Sequence, residues 1–77
     1  MIDNSEKKEP EQITGTVENI ICYKPDSGFV VFDLDKQGEM LTVVGELGQV
    51  EEGEEVILTG YYASHPTYGN QFKAQVR

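Results

Sequence analysis

The chain is poor in cations, histidine and cysteine, and each shortage excludes a class of function. Six Lys and Arg stand against fourteen Asp and Glu, a formal net charge of −8. A free-standing nucleic-acid binder usually presents a basic face. Residues 1–12 do not account for the imbalance. Asp3, Glu6, Glu9 and Glu11 against Lys7 and Lys8 contribute −2 and leave −6 on the remainder. Any DNA affinity of this chain alone is therefore expected to be weak and salt-sensitive. The single cysteine, Cys22, excludes an internal disulfide and fits a reducing cytosol, with the thiol read as buried and inert. The polar, acidic start lacks the basic and apolar regions of a signal peptide. No apolar run approaches the ~20 residues that span a bilayer. The expectation is a cytoplasmic protein with no membrane partner. No internal repeat or extended low-complexity stretch is present.

Seventy-seven residues are one domain's worth. Such a chain buries roughly 60% of its unfolded surface, so its stability margin is small. It has no room for a nucleotide motor, which needs a parallel sheet of several βαβ units.

Residues 1–11 are charged and weakly hydrophobic and read as a disordered leader, with the barrel domain over 12–77. From Gln12 the pattern has a period of two. Ile13, Gly15 and Val17 alternate with Thr14, Thr16 and Glu18. Ile20-Ile21-Cys22-Tyr23 breaks the alternation, as a bulge or bend in a long first strand would. Lys24-Pro25-Asp26-Ser27-Gly28 is a turn. Phe29 to Asp35 is a second strand, Lys36 to Glu39 a turn, and Met40 to Glu46 a third strand. Leu47 to Gly53 is a loop or one short helical turn. Glu54 to Ala63 is a fourth strand with Val56, Leu58, Gly60 and Tyr62 on one face. After the turn-rich Ser64 to Asn70, Gln71 to Arg77 is a fifth, with Phe72, Ala74 and Val76 on one face. Gly15, Gly45 and Gly60 lie inside strands, where glycine marks a bulge or tight barrel corner. Five strands without a long helix predict an all-β fold, a small five-stranded OB-type barrel. The chain stops inside its last strand, so truncation of a longer protein is expected.

Four segments resemble, in order, the N-terminal region of RecD-like helicases, the group similar to the exodeoxyribonuclease V alpha subunit. They are Ile13 to Ile20, Ser27 to Phe32, Leu41 to Gly45, and Leu58-Thr59-Gly60 with the run His65-Pro66-Thr67-Tyr68-Gly69-Asn70-Gln71-Phe72. That last run is the most distinctive, and the resemblance spans nearly all of 12–77. It implies an OB-like domain ahead of helix-hairpin-helix elements and a superfamily 1 motor that moves 5′ to 3′ on single-stranded DNA in repair and recombination. The motor's phosphate-binding loop, Gly-Xaa₄-Gly-Lys-[Ser/Thr], does not occur in this chain. The resemblance thus implies a non-catalytic accessory module with no cofactor of its own, ATP and magnesium belonging to the motor. Its implied partners are other domains of the same helicase and, weakly, single-stranded DNA. The alternative is a stand-alone protein-interaction barrel.

OB-type barrels stack bases on aromatic rings within a basic groove. The candidate contact residues for nucleic acid or partner are Tyr23, Lys24, Phe29, Tyr61, Tyr62, Tyr68, Lys73 and Arg77. Adjacent strand residues face opposite ways, so one of Tyr61 and Tyr62 leaves the core. A tyrosine that packs its ring and wets its hydroxyl is equally ordinary. Phe32 and Phe72 share parity with apolar neighbours and belong to the core. Lys73 and Arg77 share one predicted face with Gln71 and Gln75, which suits a phosphate backbone or plain solvent. His65 is a loop residue, and with Cys22 it makes no metal site. Nothing supplies Cys22 with an activating base. The acidic run Glu51-Glu52-Gly53-Glu54-Glu55 reads as a solubilising loop, or as repulsion of nucleic acid or docking to a basic surface.

Overall fold

A computed structural model describes residues 9–65 and 69–77. Five strands, β1 (Glu11–Lys24), β2 (Phe29–Lys36), β3 (Glu39–Glu46), β4 (Glu55–His65) and β5 (Gly69–Val76), close in the order β1-β2-β3-β5-β4. All neighbours are antiparallel except β3 and β5, which run parallel. This is the five-stranded OB-type barrel. The loop from Leu47 to Glu54 contains no helical turn.

β1 closes the barrel because one long strand serves two partners. Its first half, Glu11 to Thr16, pairs with β4, and its second half, Thr16 to Lys24, pairs with β2. The bend is made by register shifts between Val17 and Asn19 and between Ile20 and Cys22, the second of them where the sequence loses its alternation. Inward residues of every strand form the core. Val17, Val30, Phe32, Leu34, Val43, Leu58 and Phe72 are its most deeply buried members. Leu47 and Val50, from the β3–β4 loop, are buried with them.

Strands cross closely where glycines stand. A Cβ on Gly45 would strike the Ala74 carbonyl oxygen, and one on Gly60 the Lys73 carbonyl oxygen. A Cβ on Gly15 would lie 2.7 Å from the Asp35 carbonyl oxygen. The β4–β5 ladder passes from Gly60↔Ala74 to Thr59↔Val76, leaving Gln75 as the extra residue of a bulge. This overturns one expectation: Val76 does not join Phe72 and Ala74 inside but is 59% exposed. A single inserted residue reverses the facing of everything beyond it.

The turns follow local chemistry. Gly28, at φ 80°, closes the β1–β2 loop, its N–H donating to the Lys24 carbonyl at 2.8 Å. Gln37 and Gly38 both take positive φ, the two-residue turn that suits strand twist, and Gly38 N–H donates to the Asp35 carboxylate at 2.8 Å.

Candidate nucleic-acid or partner interface

Side chains alternate across a strand, so the ladder registers define which outward residues lie side by side. One outward row crosses four ladders: Cys22↔Val31 between β1 and β2, Val31↔Val44 between β2 and β3, Val44↔Lys73 between β3 and β5, and Lys73↔Tyr61 between β5 and β4. The next row runs Asn19, Asp33, Thr42, Gln71, Ala63. Toward the β1–β2 loop, Lys24, Phe29 and Glu46 form a shorter row. These rows make the outer face of the curved sheet. OB barrels use the face of their second and third strands, with the β1–β2 and β4–β5 loops, for oligonucleotides and oligosaccharides.

Four of the eight candidates meet on this face: Lys24 and Phe29 at one corner, Tyr61 and Lys73 at another. Tyr62 does not join them. It faces inward opposite Phe72, edge to face with ring centroids 5.1 Å apart, and is packed against the core. Tyr23 pairs with buried Val30, so it follows the inward parity and emerges, 36% exposed, where β1 ends. Arg77 lies beyond the end of β5, where its guanidinium donates to the Glu54 carboxylate at 3.3 Å. Tyr68 lies outside the described residues, as does most of the leader read over residues 1–11. Lys73 and Arg77 therefore do not form a continuous basic strip.

The centre of the face holds residues that the sequence reading passed over. Ile21, Val31, Thr42, Val44 and Gln71 line a cleft of about 350 Å³. Ile21, the extra residue of the second β1 bulge, is 55% exposed. The signal was available: Val30-Val31 and Val43-Val44 are adjacent aliphatics, and one of each pair must face outward for the same reason as in Tyr61-Tyr62. Asp33 borders this cleft, its carboxylate accepting the Thr42 hydroxyl at 3.4 Å. Cys22 is half-buried in the outward row and is not a core residue, a correction to its reading as a buried thiol. Among the described residues, no cluster of three His, Cys, Asp or Glu is placed to hold a metal ion. No described helix is long and apolar enough to cross a membrane.

The acidic loop has a structural job. Gly53 N–H donates to the Val17 carbonyl at 2.7 Å, and Val17 N–H donates to the Glu54 carbonyl at 2.8 Å. The Glu52 carboxylate accepts the Ile20 N–H at 3.3 Å. These bonds cover backbone groups of β1 just past Thr16, where its pairing with β4 ends. Gly48 N–H donates to the Gly28 carbonyl at 2.9 Å, which ties the same loop to the β1–β2 turn.

Residues 10–76 match the family model of the OB-fold domain of ATP-dependent DNA helicase YrrC. No curated protein and no solved structure matches the chain.

Proposed function

The chain belongs to the family of OB-fold domains of ATP-dependent DNA helicase YrrC, and on that footing we propose that it is a module of a RecD-like 5′–3′ helicase acting in cytoplasmic DNA repair and recombination, and that it works by docking on protein. An OB domain of a helicase is an accessory, non-catalytic part of that enzyme. ATP and magnesium act in the motor domain of such a helicase. One observation carries the docking reading. The middle of the outer face is aliphatic and bordered by a carboxylate, whereas a single-strand groove needs stacked rings along a cationic track. The net charge of −8 acts in the same direction, since it repels a phosphate backbone at long range.

A second reading is favoured by the cross-strand neighbours Tyr61 and Lys73, a ring and an ammonium group side by side. They would hold a base and its phosphate at one edge of the face. Titrating the 77-residue chain with oligo-dT at low salt, read by amide NMR shifts, separates the two. The docking reading expects no localised shifts up to millimolar DNA. Shifts gathered on Lys24, Phe29, Tyr61 and Lys73 that fade as salt rises would replace it with single-strand contact.

A further inference from the structure

We infer that the outer cleft receives an aliphatic side chain carried on a basic protein segment, a proposal that rests on the docking reading above. Val31 and Val44 face each other across the β2–β3 ladder and form the floor. Ile21 stands over it from the β1 bulge, and Thr42 and Gln71 face each other across β3 and β5 at the margin. Among the described residues no ring lines this cleft, so they offer a nucleobase nothing to stack on. An aliphatic group would bury Ile21, Val31 and Val44 together, while the Thr42 hydroxyl and the Gln71 amide are placed to meet the polar backbone that carries it.

The charge around the cleft selects the flanks of the occupant. Asp33 borders the cleft, and Asp35 and Glu46 continue the outward positions of β2 and β3. Lys73 lies at the β5 margin and Lys24 at the end of β1. The two central strands thus present carboxylates outward, on a chain of net charge −8. Lysine or arginine on either side of the inserted aliphatic residue complements this field, and glutamate or phosphate opposes it.

The test uses the 77-residue chain and an acetylated, amidated peptide, Lys-Arg-Lys-Leu-Ile-Lys-Arg-Lys, followed by amide NMR. Two controls replace Leu-Ile with Ser-Ser, or every cation with Glu. The proposal expects saturable shifts at Ile21, Val31, Thr42, Val44 and Gln71 with the first peptide only. Val44→Thr removes one methyl's worth of apolar contact without changing the β-branched shape, and should weaken binding about threefold to fivefold. Retained spectral dispersion shows that this variant folds. Equal shifts with the Ser-Ser peptide, equal binding of the Glu peptide, or no shift at millimolar peptide each overturn the proposal. Self-association through these residues, seen by sedimentation without peptide, would make a second copy the occupant and overturn it too. Peptide shifts confined to Tyr61 and Lys73 would remove the cleft assignment and leave the docking reading standing. Shifts with oligo-dT and none with peptide would remove both.

Discussion

Replacing Gly60 with alanine tests how the barrel closes. The added Cβ would strike the Lys73 carbonyl oxygen and lie 2.8 Å from the Ala74 Cα. Both obstacles are backbone, so no rotamer change relieves them. β4 and β5 must separate at the Gln75 bulge, beside buried Leu58 and Phe72. Overpacking a tight interior costs roughly 1–3 kcal/mol, and a rigid backbone obstacle belongs at the upper end. At 0.05–0.15 kcal/mol per residue the whole chain has only about 4–12 kcal/mol. A loss of about 3 kcal/mol lowers the thermal midpoint by roughly 12–24 °C in a domain of this size. With a urea m-value near ~1–2 kcal/mol/M it lowers the urea midpoint by about 1.5–3 M. Urea titration followed by far-UV circular dichroism reads this directly. Gly38→Ala is the control: its Cβ meets nothing within 4 Å, and its φ of 89° makes conformational strain the cost. That strain is about 1–2 kcal/mol. If Gly60→Ala costs no more than Gly38→Ala, close strand approach at Gly60 is not what demands glycine, and the account of closure is wrong.

Phe72→Leu should cost roughly 1–3 kcal/mol in the same assay, through imperfect filling of the core and loss of the edge-to-face pair with Tyr62. Glu52→Ala should cost about 0.5–1.5 kcal/mol and speed hydrogen exchange of the Ile20 amide selectively, because the carboxylate is that group's acceptor; unchanged exchange at Ile20 would refute the bond. Glu54→Ala removes an exposed ion pair with Arg77 and an acceptor for the Glu51 N–H, so its effect should stay near 1 kcal/mol, with the ion-pair part fading at high salt.

The local chemistry of the chain is legible without coordinates because strands and turns are short-range. Alternation located all five strands to within two residues at each end, and Gly28 and Gly38 marked turns that need positive φ. The broken pattern at Ile20 to Tyr23 announced a bulge in β1, and adjacency alone required one of Tyr61 and Tyr62 to leave the core. The family was legible as well, through residues spread over nearly the whole barrel.

What escaped the sequence depends on register between strands far apart in the chain. The extra residue Gln75 turns Val76 outward, and nothing within β5 reveals it, because the bulge exists only relative to β4. The row Val31, Val44, Lys73, Tyr61 needs three ladders to be known at once, one of them the parallel β3–β5 pairing. Arg77 was grouped with Lys73 by parity, but the end of β5 delivers it to Glu54 instead. The sequence by itself determined a five-stranded barrel, the core positions of Phe32 and Phe72 and its acidic character, since each follows from residue type and period. Only the tertiary structure decided that the outward aliphatics converge into one cleft, that Lys24, Phe29, Tyr61 and Lys73 stand at the corners of its face while Tyr62 packs on the core, and that the acidic loop covers β1 past the end of its β4 pairing, because side chains become neighbours across a sheet only when closure aligns the strands.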